Sequence, residues 1–374
     1  MTVPADVVLD CRWLGLWGAG RVTELLLRGL AESPPAGTWT LWGGRDVGRY
    51  AWPGAQVHVD GRDPRQARGQ GAWFGMPPGR LTVFLQQQRP LRRVPAVTVI
   101  LDTIQLRWSP GPVERRLRTA YLRRVAAVSG AVITISEHSR ACIVRDLGVR
   151  PEVVTVVVPP LDRERADRLL ELRRRGGGAG SGPAGGPPYL LYVGRFAPHK
   201  NLDRLVEAFA ATGFRRGGGR LVLAGGSPAE AVGLRSALPS PAHEWVEVRT
   251  KAADGELDAL MAGALALVQP SLEEGFGLPV AEALGGGVPV CVSDGGALPE
   301  VVAGVDGVLP VFPATSVPAM AAALDRCAAV AADGGLAYGE RLAASARARL
   351  PTIGEFAGRF AGVVEGTLAG VGQR

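Results

Sequence analysis

The strongest constraint on the fold is a repeated alternation of apolar, strand-like runs with helix-like segments along the 374-residue chain. In the first half, 96–101 (AVTVIL) and 153–158 (VVTVVV) are continuous apolar runs, as expected for strands that helices cover on both faces. The alternation restarts at 189–193 and continues through 220–223 and 264–268. Repeated βα units favour parallel sheets. The sequence therefore predicts an α/β protein with two Rossmann-like parallel-sheet domains.

A segment rich in glycine and proline, 173–188, separates the two alternating halves. Its composition is typical of a flexible linker or an insertion, because it offers almost nothing that a core could bury. The domains are accordingly predicted at 1–172 and 189–352. Because open parallel sheets bind ligands beyond the carboxyl ends of their strands, two facing sheets would hold a ligand in the cleft between them.

Composition narrows the class of protein. Hydrophobic residues make up 47% and charged residues 21% of the chain, which is typical of a globular protein. The four cysteines are scattered without a CxxC pair, and no signal-like segment opens the sequence. We therefore expect reduced thiols in a cytoplasmic protein. No apolar run approaches the roughly 20 residues of a membrane span.

The net charge of +7 is unevenly distributed. Residues 1–186 contain 27 Arg and no Lys against 16 acidic residues, whereas the remainder contains 15 basic and 19 acidic residues. A basic first half suits a phospholipid surface, a phosphorylated substrate or nucleic acid. No zinc-finger, RNP or helix-turn-helix signature accompanies the charge, so we predict no nucleic-acid partner. The basic segment Glu114–Arg124 is either a helix lying on anionic lipid or an ordinary solvated helix.

The most informative motif is a glycine-rich turn flanked by two carboxylates, from Glu274 to Glu282 (EGFGLPVAE). The turn follows the buried run 264–268, and Pro279 suits the first position of a helix. Free N–H groups at such a helix start attract phosphate, and carboxylates accept hydrogen bonds from sugar hydroxyls. The motif predicts a site for a phosphorylated, polyhydroxylated ligand. The alternative is that Glu282 only complements the helix dipole in the first turn and that Glu274 is a surface turn residue.

A second motif places two cations after another strand. Arg195 and Lys200 follow the run 189–193, and Gly194 lets the chain turn there. The chain has only two Lys beside 40 Arg. An ammonium group is a compact point charge, whereas a guanidinium group is a planar fork. A lysine in a chain that otherwise uses arginine therefore indicates a specific role. The alternative is a solvated turn with incidental charges.

Together, the two motifs resemble those of the retaining glycosyltransferases of family 4, which have the GT-B fold of two Rossmann-like domains facing across a cleft. The specific matches lie in the second half of the chain: the Glu-x7-Glu motif from Glu274 to Glu282, Val193-Gly-Arg195 with Lys200-Asn201, Gly287-Val-Pro-Val290, and Pro299-Glu-Val301. The first half matches more loosely, through Gly18-Ala-Gly20-Arg21, Leu101-Asp102 and Ser136–Arg140.

The resemblance implies a role for each residue of the motifs. Arg195 and Lys200 bind the diphosphate of a nucleotide-sugar donor and neutralise the charge that develops on the leaving group. Glu274 orients the transferred sugar, Glu282 binds the ribose hydroxyls, and Asp102 orients the sugar or the acceptor. The other predicted donor-binding residues come from glycine-rich turns in both domains: Gly18, Gly20, Gly194, Gly275, Phe276, Gly277 and Leu278.

The resemblance also implies a reaction. The sugar passes with retention of configuration from a GDP-, UDP- or dTDP-sugar to a hydroxyl of a cell-envelope glycan, a glycolipid or a small metabolite. The acceptor binds the N-terminal domain, to which the last helix, at about 353–368, crosses back. No cofactor and no metal are expected, because the two cations take the place of a metal ion under the diphosphate and the sequence lacks an Asp-x-Asp motif.

One departure and two alternatives stay open. Family members often have His-Asp where this chain has Leu101-Asp102. Leu cannot hydrogen-bond a C6 hydroxyl. Unless the motif aligns differently, either the donor is a 6-deoxysugar or a pentose, or its sugar is held in another way. The alternative functions are a non-catalytic GT-B binding module and a Rossmann NAD(P) oxidoreductase. The second rests only on Gly18-Ala-Gly20, and Thr23 stands where the third glycine of that fingerprint belongs.

Overall fold

The computed structural model describes residues 5–15, 17–60, 75–90, 94–176, 186–250 and 254–371. The chain forms two compact units. The first unit comprises Met1–Pro160 and Pro351–Arg374, and the second comprises Leu161–Leu350. Each unit has its own sheet and its own hydrophobic core.

Within the described residues, the first unit has a sheet of seven parallel strands in the order β3-β2-β1-β4-β5-β6-β7. The strands are β1 (Ala5–Asp10), β2 (Trp39–Gly43), β3 (Gln56–Val59), β4 (Gly79–Phe84), β5 (Ala96–Val99), β6 (Ala131–Thr134) and β7 (Val154–Val156). The interior strand β1 pairs Val7 with Trp39 of β2 on one side and with Leu81 of β4 on the other. Strands β5 and β7 lie on the predicted apolar runs, as expected for strands covered on both faces, whereas all four residues of the edge strand β3 are exposed.

The helices of the first unit are α1 (Trp17–Glu32), α2 (Ile104–Arg107), α3 (Pro112–Ala127), α4 (Glu137–Leu147) and, from the end of the chain, α13 (Ile353–Val371). Helix α13 packs against α1. Gly29 permits this close approach, because a Cβ atom there would lie 2.6 Å from the Cβ of Ala357. Phe356 and Phe360 of α13 are buried in the core of the first unit.

The sheet of the second unit has five parallel strands within the described residues, in the order β10-β9-β8-β11-β12. They are β8 (Tyr189–Gly194), β9 (Arg220–Gly225), β10 (Val246–Arg249), β11 (Ala266–Gln269) and β12 (Val290–Val292). The helices are α5 (Arg163–Arg175), α6 (Leu202–Ala210), α7 (Gly213–Arg216), α8 (Pro228–Ala237), α9 (Asp254–Gly263), α10 (Leu278–Gly285), α11 (Leu298–Val302) and α12 (Val317–Arg349). Non-helical backbone at Gly335 kinks α12.

The second unit begins at Leu161, earlier than the predicted boundary at 172. The reason is α5, which packs against α9 and α10 of the second unit and buries Leu169 and Leu170. The helix continues through 173–175, which the sequence assigned to the linker. The guanidinium of Arg173 is buried there and donates to the backbone oxygens of Ala262 and Ala264, each at 2.9 Å. The glycine-rich remainder at 177–185 lies outside the described residues.

Helix α1 begins at Trp17, before the two glycines that were predicted in a turn. Gly18 and Gly20 therefore lie in the first turn of the helix and not in the turn before it. A Cβ atom on Gly20 would lie 2.9 Å from the backbone nitrogen of Gly15, so a larger residue would collide with the chain that enters the helix.

Among the described residues, every helix is either too short or too polar to span a membrane.

Candidate functional site

The centre of the candidate site is a buried ion pair at the carboxyl end of strand β11. Nζ of Lys200 lies 2.6 Å from Oε1 of Glu274, and the two side chains are only 14% and 10% exposed. The same carboxylate oxygen accepts hydrogen bonds from Nε2 of Gln269 at 2.6 Å and from Oγ of Ser271 at 2.8 Å. The other oxygen of Glu274, Oε2, has no donor among the described residues. It is available to accept hydrogen bonds from a ligand.

The environment of Glu274 keeps its carboxyl group ionised. Burial raises the pKa of Glu274, but the charge of Lys200 and the hydrogen bonds from Lys200, Ser271 and Gln269 outweigh burial and lower it below its usual value. Glu274 is therefore an acceptor of hydrogen bonds at neutral pH and not a general acid. Burial, together with the positive charge of Lys200, lowers the pKa of the neighbouring His199 to about 4, so this imidazole is neutral at pH 7.

Two loops are locked together around the ion pair. Asn201 has left-handed backbone geometry (φ 61°), and its buried amide donates to the backbone oxygens of Pro270 at 3.0 Å and Ala314 at 2.7 Å. The backbone N–H of Leu272 donates to the oxygen of His199 at 2.8 Å. These bonds tie the loop that carries Lys200 to the loop that carries Glu274, so the pair is preorganised.

A glycine pair supports Glu274 from the other side. A Cβ atom on Gly295 would lie 1.9 Å from the backbone oxygen of Ser271. Gly296 has a positive φ of 65°, and a Cβ atom there would lie 2.4 Å from the backbone nitrogen of Glu274. The N–H of Ala297 then donates to the backbone oxygen of Glu274 at 3.0 Å. Only glycine allows this backbone to approach so closely.

The turn after Glu274 ends at the open N-terminus of α10. Gly277 occupies the N-cap position with φ 106°, and no side chain caps the helix. The N–H groups of Phe276, Gly277 and Leu278 have no acceptor among the described residues. Unpaired N–H groups at the positive end of a helix dipole bind anions. Gly275, Phe276 and Gly277 lie in the predicted turn, whereas Leu278 is already the first residue of α10, so that Pro279 is its second residue and not its first.

Arg195 and Gly194 lie at the carboxyl end of the neighbouring strand β8. Nη2 of Arg195 is 2.9 Å from Oε1 of Glu230, and the Arg195 side chain is 54% exposed. The hydroxyl of Tyr192 donates to the backbone oxygen of Arg195 at 2.6 Å. A Cβ atom on Gly194 would lie 2.6 Å from that hydroxyl, so the turn requires glycine. The charges of Lys200 and Arg195 lower the pKa of His199, and the charge of Glu274 raises it.

Glu282 lies in the second turn of α10, not in the first turn as predicted. Its Oε1 atom is 2.6 Å from Nη1 of Arg165, a residue of α5. Nε of Arg165 also donates to Oδ1 of Asp258 on α9 at 2.7 Å. This network joins three helices of the second unit. The sequence analysis did not identify Arg165 or Asp258, because they are 117 and 24 residues from Glu282 and belong to no motif.

The remaining predicted residues belong to the first unit. Gly18 and Gly20 lie in the first turn of α1, after a loop that a buried pair anchors: Nη2 of Arg12 is 2.8 Å from Oδ2 of Asp10. Asp102 follows strand β5, and its Oδ1 accepts a hydrogen bond from the N–H of Ile104 at 3.1 Å, at the start of α2. The ion pair of Lys200 and Glu274 belongs to the second unit.

The sequence is similar to that of known proteins over part of its length. Residues 187–329 match the family described as "Glycosyl transferases group 1". O-antigen chain mannosyltransferase B of Escherichia coli is 37% identical over 116 residues, which are 30% of this chain and 30% of that protein.

Solved structures resemble the whole chain. Sucrose-phosphate synthase from Thermosynechococcus elongatus superposes with a TM-score of 0.70 at 18% identity, covering 97% of this chain and 99% of that one. Anabaena HepE in complex with UDP-glucose gives a TM-score of 0.70 at 17% identity, covering 97% and 100%. WaaG, a glycosyltransferase involved in lipopolysaccharide biosynthesis, gives 0.67 at 18% identity, covering 96% and 100%. At these identities the likeness establishes the fold, and the predicted GT-B fold is confirmed.

Proposed function

We propose that this protein is a retaining glycosyltransferase that needs no metal ion, starting from the match of residues 187–329 to the family described as "Glycosyl transferases group 1". It transfers a sugar from a GDP-, UDP- or dTDP-sugar to a hydroxyl of a cell-envelope glycan, a glycolipid or a small metabolite. The observation that carries the proposal is the buried Lys200–Glu274 pair, which leaves one carboxylate oxygen open beside the uncapped N-terminus of α10. The solved structures of HepE with UDP and UDP-glucose support a nucleotide-sugar donor.

The cations of the site bind the diphosphate of the donor. Lys200 has three N–H donors, of which Glu274 uses one, so the ammonium group can hold phosphate while it stays paired. Arg195 exchanges Glu230 for phosphate. This exchange costs little, because an exposed ion pair contributes only about 0–1 kcal/mol. Both cations then stabilise the charge that develops on the leaving diphosphate.

The carboxylates and the backbone position the sugar. Oε2 of Glu274 accepts hydrogen bonds from hydroxyls of the transferred sugar, and the N–H groups at the start of α10 donate to phosphate and sugar oxygens. Glu282 accepts hydrogen bonds from the ribose. Gly18, Gly20 and Asp102 of the first unit keep their predicted roles toward the donor and the acceptor.

The proposed transfer is a front-face substitution. The bond between the anomeric carbon and the diphosphate oxygen breaks while a bond to the acceptor oxygen forms on the same face. The acceptor proton passes to the departing diphosphate oxygen, so the reaction balances without a protein nucleophile or a protein base. A permanently ionised Glu274 fits this scheme, because the scheme asks it to orient the sugar and not to transfer a proton.

The test is a thermal-shift screen with UDP-, GDP- and dTDP-sugars, followed by assays of nucleotide release with the sugars that bind. A bound donor raises the melting temperature, because it binds the folded state alone. Release of nucleoside diphosphate in the presence of a hydroxyl acceptor supports the proposal. Binding without release by any donor favours the non-catalytic module, and a failure of every nucleotide to bind overturns the proposal.

Whether the donor sugar carries a C6 hydroxyl can be tested directly. The side chain of Leu101 lines an apolar pocket of the first unit together with Val99, Ile135 and Phe356. Such a side chain offers no hydrogen bond to a C6 hydroxyl, in keeping with a 6-deoxy or pentose donor. Turnover of a hexose donor is therefore compared with that of its 6-deoxy counterpart. A clear preference for the hexose would contradict this assignment.

We also propose that α3 brings the protein to anionic membrane surfaces. Val113 and Leu117 are 66% and 68% exposed on this helix, and Trp108 just before it is 39% exposed. Exposed arginines surround them: Arg115, Arg116, Arg123 and Arg124. Apolar side chains that enter the lipid boundary, combined with cations that reach the phosphates, are typical of interfacial helices.

A further inference from the structure

One buried guanidinium joins two buried carboxylates from different helices. Nε of Arg165 is 2.7 Å from Oδ1 of Asp258, and Nη1 of Arg165 is 2.6 Å from Oε1 of Glu282. The three side chains are 9–11% exposed. Arg168 adds only a long contact of 3.8 Å to Asp258 and is 59% exposed. We call Arg165, Asp258 and Glu282 the clasp.

The clasp depends on the shape of a guanidinium group. Arg165 uses donors on two different edges of its planar fork for two carboxylates, which a single ammonium group cannot reproduce. The side chain of Asp162 caps α5 by accepting from the N–H of Arg165 at 3.3 Å, which fixes the start of the helix. Burial lowers the pKa of Arg165, but Glu282 and Asp258 raise it by more than burial lowers it. The pKa of Arg165 therefore lies above its usual value, and the side chain stays a cation.

A buried ion pair is a poor device for stability alone. The free-energy cost of removing two charges from water offsets most of their mutual attraction. Well-packed apolar residues of similar volume stabilise a folded protein as much or more. The clasp also lies close to the proposed donor site. Leu278 and Glu282 are four residues apart on α10 and share one face of the helix, and helical side chains tilt towards the N-terminus. The side chain of Glu282 therefore extends towards the start of α10, where the N–H groups of Phe276, Gly277 and Leu278 are proposed to bind phosphate.

We propose that Arg165 is a positioning residue: it holds the carboxylate of Glu282 in the one orientation that accepts hydrogen bonds from the ribose hydroxyls of the donor. This inference rests on the proposed function. Asp258 acts behind Arg165, because it fixes the second edge of the guanidinium. A carboxylate that is held in place before the ligand arrives loses less entropy on binding and discriminates better between ligands.

The experiment measures the preference of the full-length protein for ribose hydroxyls. Binding of UDP, GDP and dTDP is compared with binding of their 2′,3′-dideoxy analogues. A hydrogen bond to a charged group corresponds to a preference of about tenfold or more. We expect wild type to show this preference and R165K and R165M to lose most of it, while kcat at saturating donor changes little. R165M leaves two buried carboxylates without a cation and therefore risks unfolding. R165K keeps the positive charge, so it still tests the proposal if R165M fails to fold.

Two further variants separate positioning from general stability. E282Q should lose the same preference, and the double variant R165K/E282Q should lose no more than E282Q alone, because the two residues act as one unit. R168M, on the same helix, is the matched control and should keep the wild-type preference.

The outcomes distinguish the inference from its premise. If wild type binds no nucleoside diphosphate, the proposed function and the inference both fail. If wild type prefers the ribose hydroxyls and folded R165K and R165M keep that preference, the inference alone fails.

Discussion

Glu274 and Lys200 show how one residue pair can be structural and functional at once. E274Q removes the carboxylate charge and leaves Lys200 buried without its partner, which typically destabilises a protein by about 3–5 kcal/mol. Loss of the group that orients the sugar lowers kcat on the order of 10²-fold. We expect both effects, measured by denaturant unfolding and by release of nucleoside diphosphate.

The double variant K200M/E274Q separates the two roles. Removing both charges removes the unpaired buried cation, so the free energy of unfolding should recover relative to E274Q. Activity should not recover, because the diphosphate has lost Lys200 and the sugar has lost Glu274. Recovery of activity together with stability would show that the pair only holds the loops together.

His199 makes the second unit sensitive to mild acid. Its pKa is lowered from 6.5 to about 4 in the folded protein, so between these values the unfolded chain binds more protons than the folded one. The contribution of His199 to the free energy of unfolding is therefore fully present above pH 6.5, and it is lost as the pH decreases towards about 4. H199Q should flatten the dependence of the melting temperature on pH in this window. The exposed His243 is the control, because H243Q should leave the profile unchanged.

At the scale of elements, helix α3 tests the proposed contact with membranes. Wild type should co-sediment with vesicles that contain phosphatidylglycerol and much less with pure phosphatidylcholine, and salt should weaken the binding. L117S should lower the affinity about tenfold or more, because burying a leucine contributes about 1.5–3 kcal/mol. V232S changes an equally exposed residue of α8 and should have no effect. Equal affinity for both vesicle types, or none for either, would make α3 an ordinary solvated helix.

Helices and strands lie close to where the sequence predicts them wherever an apolar run or a capping residue marks their position. Strands β5, β7, β8 and β11 lie on the apolar runs of the sequence, because a strand covered on both faces needs apolar residues throughout. Ser136, which begins the matched segment Ser136–Arg140, caps α4, since its Oγ accepts a hydrogen bond from the N–H of Ser139. Gly18 and Gly20 lie in the first turn of α1 and not in a turn before it, because glycines suit both a loop and the first turn of a packed helix.

At the scale of the whole molecule, the chain returns to the first unit after completing the second. Deleting 351–374 removes α13, which buries Phe356, Phe360 and Val364 in the core of the first unit. We expect limited proteolysis to digest residues of the first unit rapidly while the second unit, Leu161–Leu350, stays protected. Equal protection of both units would show that α13 is dispensable.

Point variants test the same packing in the full-length chain. F360A should destabilise the first unit by about 3–5 kcal/mol, the usual cost of truncating a buried phenylalanine. G29V should separate α1 from α13, because even a Cβ atom at this position would lie 2.6 Å from the Cβ of Ala357. F214A changes a phenylalanine of the second unit and should leave the stability of the first unit unaltered.

Local patterns in the sequence determined the two parallel sheets, the turn from Glu274 to Leu278 and the cations that follow strand β8. Each of these depends on neighbours in the chain: apolar runs make covered strands, and glycine and proline define the turn. Only the tertiary structure decided which side chains meet. Arg165 holds Glu282, Glu230 pairs with Arg195, and Gly295 and Gly296 support Glu274 from a separate loop. These contacts join residues that are 21 to 117 positions apart in the chain. The packing of helices and loops on a sheet brings such partners together, and no local pattern encodes it.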